Sequence, residues 1–494
     1  MSENKSSYGN IFKTTFLFGF VQVFNILVKI GINKVVALVL GAEGLGIIGL
    51  FNSTVNTIKT GAGLGISQSA VRDISEANGA KNREKFSRII SLTNYVIWVT
   101  SILGVVVTIA LSPLLSKWQF NNSEYILSFV WLSIVVGLNI MSDGQLAILK
   151  GMRQLRSLAK ATMIGSVVGL VSAVPFYYFL GKGGIIPSLM ITAFSSLFFS
   201  NYFVRKIEYD RVKMKLKEIV RESSMMVKMG IALMLVSFMG FLFDLIVSSY
   251  ISSSGSLTDV GLYHAGTTII SSYFGIVITA MSTDYYPRIS AVHSNNEILT
   301  EEMNKQSITG LIMVFPLVVL FVFLSPFFID FLYSDEFYAT NNYTDYAMIG
   351  TVIIIVSNCM GMILLAKQAS KIFISSVVLQ RALLIIIYLL SYTHWGLTGL
   401  GFAYICNGLV HILFMTVILK KFYSIKLSKQ TLKLLLLVIL TTIITILARK
   451  IDLLWLRYIC GSVVLLFSCI YTISYMRREM QIDIIKIIGK HIKR

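Results

Sequence analysis

Read along its length, the chain alternates long apolar stretches with short basic ones. A helix needs about 20 mostly apolar residues to cross the hydrocarbon core of a bilayer. Sliding that window along the sequence predicts fourteen spans, at residues 11–40, 44–71, 89–111, 125–149, 158–180, 184–204, 229–251, 261–283, 306–329, 344–366, 372–392, 397–419, 432–448 and 455–476. The first is long enough to tilt or bend, and the thirteenth is short. The run from Phe16 to Leu40 is too long for a leader and lacks a small-residue cleavage pattern, so it reads as a span that stays in the protein. The predicted class is an all-α integral membrane protein.

Composition agrees and narrows the choice. Of 494 residues, 55% are hydrophobic and 14% charged, against roughly 25% charged in soluble chains, which excludes a set of water-soluble domains. The formal net charge is +19, from 43 Lys and Arg against 24 Asp and Glu. A nucleic-acid partner would need those cations on one soluble face, and here they are scattered between apolar runs, so no nucleic-acid partner is expected. Basic connections stay cytoplasmic. With the N-terminus inside, 34 of the 43 fall on the cytoplasmic side, and five on the other: Lys117, Lys182, Arg449, Lys450 and Arg457. Both ends are therefore expected in the cytoplasm, and most of the positive charge is an orientation signal, with attraction to anionic membrane lipids second. The four cysteines, Cys359, Cys406, Cys460 and Cys469, lie in apolar runs with no CxxC pair and read as packing residues.

The spans also repeat. A shift of 216 lays Glu43 on Asp259, Arg72 on Arg288, Gly183 on Gly399 and Arg205 on Lys421, and a shift of 217 lays Lys150 on Lys367. Six spans per repeat keep both halves in one orientation, predicting two six-helix lobes related by a parallel pseudo-two-fold axis along the membrane normal. The expected divisions are a first lobe at 1–205, a basic linker at 206–228, a second lobe at 229–421, and two additional helices with a basic tail at 422–494. Such a repeat encloses a cavity that opens to each side in turn, which is the architecture of a transporter.

Four basic residues belong to no connection: Lys29, Lys34, Lys59 and Arg381. A charge at the bilayer centre costs about 2.5 to 3.5 kcal/mol on insertion scales, so each needs a polar cavity or a partner. Gln22, Asn25, Lys29 and Asn33 share one helical face, and Asn52, Asn56, Lys59 and Gly63 another, which predicts two polar stripes facing one aqueous cavity. Lys34 lies nearer the outer surface, within snorkelling reach. Arg381 is deep in span 11 with thinner polar support. Asp244 in span 7 has Ser237, Gly240 and Ser248 at helical spacing; three roles fit it, neutralising a cavity lysine, binding a coupling H⁺ or Na⁺, or pairing with Arg381. Asp143 and Asp284 read as solvated caps near the cytoplasmic boundary. Cations backed by amides and hydroxyls suit a phosphate or pyrophosphate. His264, His293, His394 and His411 have no metal-ligand spacing, so no metal, cofactor or catalytic residue is expected. No connection on the outer face is longer than about 15 residues, too short for the acid, base and Arg groups of an outer catalytic domain.

These segments resemble a known family. LVKIGINKVVALVLGAEGLGIIGL at Leu27 to Leu50, LKGMR at Leu149 to Arg153, YYPRIS at Tyr285 to Ser290 and LLAKQASKIF at Leu364 to Phe373 are similar to the corresponding parts of bacterial O-antigen and enterobacterial-common-antigen flippases. Those proteins form the polysaccharide-transporter branch of the multidrug/oligosaccharidyl-lipid/polysaccharide exporter superfamily. The turn GAEGLG stands where the family carries a GPxGLG-like sequence, and the resemblance runs through spans 1 to 12 in order. It implies alternating access and movement of an undecaprenyl-pyrophosphate-linked oligosaccharide from the cytoplasmic to the periplasmic leaflet of the inner membrane. It implies that Lys29 and Lys59 stand where related lipid II flippases carry cavity cations. Span 8 departs from those relatives, holding no Lys or Arg and only His264 near its outer end, so Arg381 is the substitute third cation. Polysaccharide polymerase or chain-length proteins are candidate partners for the last two helices. A multidrug or other small-molecule exporter of the same superfamily is the second reading; it calls for buried carboxylates, whereas the first lobe buries lysines.

Overall fold

The computed structural model describes residues 2–79, 83–210 and 212–480. In chain order the helices are α1 (Ser2–Ala62), α2 (Ile66–Gly79), α3 (Arg83–Phe120), α4 (Ile126–Gly151), α5 (Leu155–Leu180), α6 (Ile185–Val204), α7 (Leu216–Ser254), α8 (Leu257–Thr268), α9 (Gly275–Ala291), α10 (Asn296–Phe323), α11 (Ser325–Leu332), α12 (Asn341–Ala366), α13 (Ser370–Tyr423), α14 (Lys429–Arg449) and α15 (Leu454–Arg478). No strand occurs among the described residues.

Among the described residues, ten helical stretches are long and apolar enough to cross a membrane. Three of them, Val23–Ala62, Leu155–Val204 and Ser370–Tyr423, are interrupted by Gly41, Gly181 and Gly396. At these positions φ is 67°, 55° and 54°, a region that glycine enters without a Cβ penalty. Counting two arms for each, and adding α8 and α9 joined through a π-helical segment at Ile269–Phe274, gives the fourteen expected spans. Large apolar side chains such as Leu436, Leu440, Leu447, Val463, Leu466 and Ile470 face outward from α14 and α15. Exposed surface of that kind is stable in lipid rather than in water.

The internal repeat is visible in the backbone, and in a tighter register than the charges implied. Gly181 (φ 55°, ψ −131°) and Gly396 (φ 54°, ψ −137°) share one conformation. A Cβ at Gly184 would collide with the Phe176 carbonyl oxygen, and one at Gly399 with that of Ser391, eight residues back in each case. At the end of α4, Arg153 has φ 55° and the Gln154 N–H donates to the Leu149 carbonyl at 2.9 Å; after α12, Gln368 has φ 55° and the Ala369 N–H donates to the Leu364 carbonyl at 2.9 Å. Every one of these pairs is 215 residues apart. Met152 therefore corresponds to Lys367, and the match of Lys150 with Lys367 is two residues out, because backbone geometry rather than charge fixes the equivalence.

Packing divides the chain into Met1–Gly261 and Leu262–Arg494. In the first unit, α2 buries Ile66, Ala70, Ile74 and Ala77 on one face, against a core that includes Ile90, Ile97, Ile148 and Leu149. The second arm of α1 and the turn after it leave little space between backbones: a Cβ on Gly46 would strike the Leu257 carbonyl oxygen at the start of α8, and one on Gly65 that of Gly230 in α7. In the second unit α12 is buried along most of its length, with α13, α10 and α14 around it. Gly461 of α15 lies against the ring of Phe323.

Candidate functional site

The polar stripes of α1 carry the candidate ligands. At a rise of 1.5 Å per residue, Lys29 lies about 18 Å and Lys59 about 27 Å along their arms from the Gly41 break, so the two cations sit at different depths. Lys29 is exposed, Lys34 and Asn33 are half-buried, and the half-buried Asn25 accepts a hydrogen bond at 3.3 Å from the Ser166 hydroxyl of α5. Asn56 is half-buried one turn before Lys59.

Lys59 is paired. Its ammonium lies 3.0 Å from Asp143 Oδ2 of α4, with side-chain exposures of 24% and 42%. A small cavity of about 20 Å³ adjoins the pair, lined in part by Gly63, Ser67, Thr100 and Gly144. This corrects the reading of Asp143 as a solvated cap. It stands eight residues before the end of α4, about 12 Å inside the helix, where a cation from the neighbouring helix stabilises its charge. The signal was in the sequence: Asn139 and Asp143 are four apart on one helical face.

Asp244 lies elsewhere. The second arm of α1 turns Ser53, Thr57 and Gly61 towards α7, about 100° around the helix from Asn52 and Asn56. On that face the Ser53 hydroxyl donates to Asp244 Oδ2 at 2.6 Å and the Thr57 hydroxyl donates to the Phe241 carbonyl at 3.0 Å. The carboxylate is half-buried.

In the second unit Arg381 is half-buried on α13 and close enough to Tyr388, Tyr404 and His411 to act on each electrostatically. Around it, Gln380 donates to Asn407 at 3.3 Å, and His411 Nδ1 is 2.8 Å from the Ser357 hydroxyl. Arg381 thus sits in a polar interior shared by α12 and both arms of α13. A pair the sequence reading missed lies nearby in the chain. Arg449, taken as an outer-face residue, reaches Asp345 with both terminal nitrogens and also donates to the Val322 carbonyl at 3.2 Å, to Ser325 and to Asn341 at 3.3 Å. The partners are 104 residues apart in sequence, beyond the reach of any local pattern.

At the basic end of the first unit, Arg88 donates to Glu222 at 2.8 and 2.6 Å. These bonds hold the Glu222 carboxyl below the ordinary glutamate range. The linker is pinned beside it, with the Asp210 and Val212 N–H groups donating to Ser87 and Ser91 at 3.1 Å each. Among the described residues no group of three or more His, Cys, Asp or Glu could hold a metal ion.

Comparison with known proteins places this geometry. The chain is 22% identical over 410 residues to the lipid III flippases of Escherichia coli (strain K12) and of Shigella flexneri, covering 78% of this chain and 93% of each relative. Its fold is like that of the lipid II flippase MurJ in an inward closed conformation, with TM-score 0.69 and 14% identity over 95% of this chain and all of the other. It is also like an inward-facing multidrug resistance transporter of the MATE family, with TM-score 0.60 and 16% identity over 81% of this chain and 96% of the other. This multi-pass membrane protein is all-helical and of the fold those transporters share. The family model described as "Polysaccharide biosynthesis protein" matches residues 35–341, more than half of the chain, and the chain belongs to that family.

Proposed function

We propose that the chain is a flippase that carries an undecaprenyl-pyrophosphate-linked oligosaccharide, an O-antigen or similar repeat unit, from the cytoplasmic to the periplasmic leaflet of the inner membrane by alternating access. The observation that carries the reading is Lys59: a cation inside an apolar helix, on a polar face, beside a small cavity that Ser67, Thr100 and Asp143 share with apolar side chains. An anionic headgroup gives such a charge a reason to be retained. The likeness to lipid III flippases over most of both chains supports the substrate class. In this reading Lys29 and Lys59, backed by Asn25 and Asn56, receive the pyrophosphate and first sugar, Lys34 guides the ligand near the outer surface, and Arg381 is the cation of the second lobe. Asp244, held by Ser53, couples the cycle to H⁺ or Na⁺. The two lobes are 1–205 and 229–421, a division that the 215-residue backbone repeat supports. Both termini lie in the cytoplasm, as the basic connections require.

The test is genetic. Lys29→Ala and Lys59→Ala each abolish surface polysaccharide in a host lacking its own copy, while immunoblots show the variants in the membrane at ordinary levels. Normal surface glycan from both variants would overturn the site.

A further inference from the structure

A cation that binds a travelling anion must have somewhere to put its charge when the site is empty. We infer that Asp143 is the internal competitor for the Lys59 site: a resident carboxylate that the anionic ligand displaces on binding and that reclaims the lysine on release, so that it sets both affinity and turnover.

Three observations carry this. The first is proximity: a single carboxylate oxygen lies 3.0 Å from the ammonium, taking one of three N–H donors, where a phosphate oxygen would make the same charge-assisted contact. The second is openness. Both side chains keep part of their surface accessible, and the adjoining cavity is bordered by Gly63 and Gly144, which bring no side chain into it. The third is the backbone around the pair. A Cβ on Gly63 would press on the Lys59 carbonyl oxygen, and one on Gly144 would collide with Ile97. A side chain is therefore disfavoured at both positions, at Gly63 by the carbonyl of Lys59 itself and at Gly144 by Ile97 of α3, so the space that these two glycines border beside the pair stays clear. A ligand that separates Lys59 from Asp143 also removes an ionic tie between α1 and α4, coupling occupancy to helix packing.

The inference rests on the anion-binding reading of Lys59 given above, and its test separates the two. Binding of farnesyl pyrophosphate to the full-length protein in nanodiscs is measured, with farnesol as the uncharged control. For wild type and Lys59→Gln, the parent reading expects binding that Lys59→Gln weakens at least tenfold. Absence of that weakening removes the parent reading. If it is present, Asp143→Asn is expected to tighten binding about three- to fivefold, the upper scale of a partly exposed ion pair, and to slow flipping in reconstituted vesicles, since release loses its competitor. In a Lys59→Gln background, Asp143→Asn is expected to change binding less than twofold. Weaker or unchanged binding in Asp143→Asn overturns the inference, as does equal tightening with and without Lys59, which would show a diffuse field effect. Asp143→Ser is the second replacement. Loss of both proteins from the membrane would make the pair structural and would equally overturn it.

Discussion

An ion pair joins spanning helices in each packed unit, and the two are built differently. Lys59 and Asp143 meet through one contact with 24% and 42% of their side chains accessible. Asp345 and Arg449 meet through both terminal nitrogens of the guanidinium with 4% and 12% of their side chains accessible, and three further oxygens, of Val322, Ser325 and Asn341, crowd around Nη1. Burying a charge is costly unless it is paired and hydrogen-bonded, and the second pair is bonded through both terminal nitrogens and to three neighbouring oxygens. That pair is a brace, tying α14 to α12 and to the turn before α11. The first is half-finished by the same standard, and a half-finished pair beside a cavity is what a site for exchangeable ligands requires. Exposure and the number of hydrogen bonds, more than the presence of opposite charges, separate the closed pair from the open one.

The largest effect expected from this contrast is at the brace. Arg449→Ala leaves Asp345 buried without its counter-charge, and the cost is about 3 to 5 kcal/mol. It should appear as a large drop in melting temperature in detergent and as reduced abundance in the membrane. Replacing both partners with apolar residues, as Arg449→Met with Asp345→Leu, should recover most of that loss, because no charge is then buried. A small effect of Arg449→Ala would show the two pairs to be equivalent and would end the comparison.

A smaller effect on stability, with a larger one on activity, is expected at the open pair. Lys59→Gln should cost about 1 kcal/mol or less in the same melting assay, while flipping in reconstituted vesicles falls by at least a factor of ten. A Lys59→Gln protein as unstable as Arg449→Ala would move this pair into the structural class.

How far these features could be read from sequence depends on the range over which each is encoded. The spans are written locally, as apolar windows of membrane thickness, and the breaks at Gly41, Gly181 and Gly396 make hairpin arms that window counting already separates. The α1 stripes are local too, and Lys59 does lie on a polar face. Its partner was misjudged because the sequence places Asp143 six residues before the predicted end of its span but does not say which side chain of another helix faces it; in the structure it meets Lys59 of α1. The partner of Arg449 was missed for a different reason. Counting by depth put it on the outer side without saying what it touches, and only packing of α14 against α12 carries it to Asp345. The repeat was legible as a set of charge matches, but surface charges drift while a glycine that must clear a carbonyl cannot, so Gly184 and Gly399 give the true register.

The smallest expected effect belongs to a pair of the third kind, Arg88 with Glu222 at the basic end, which has the accessibility of the Lys59 pair but two hydrogen bonds. Its carboxyl is held below the ordinary glutamate range by the guanidinium. A group whose pKa is lowered on folding contributes stability above its unfolded value, about 4.3, and loses that contribution as pH falls through the lowered one. Wild type should therefore exceed Glu222→Gln in melting temperature at pH 7 by an amount equivalent to a few tenths of a kcal/mol, and the gap should close as the buffer is taken towards pH 4 and below. Raising the salt at pH 7 should narrow it as well, since an accessible pair is screened. A gap that persists in acid would mean that Glu222 acts through packing rather than charge. Accessibility alone would then fail to predict what an ion pair does, and the distinction drawn between Lys59 and Arg449 would rest on the count of hydrogen bonds instead.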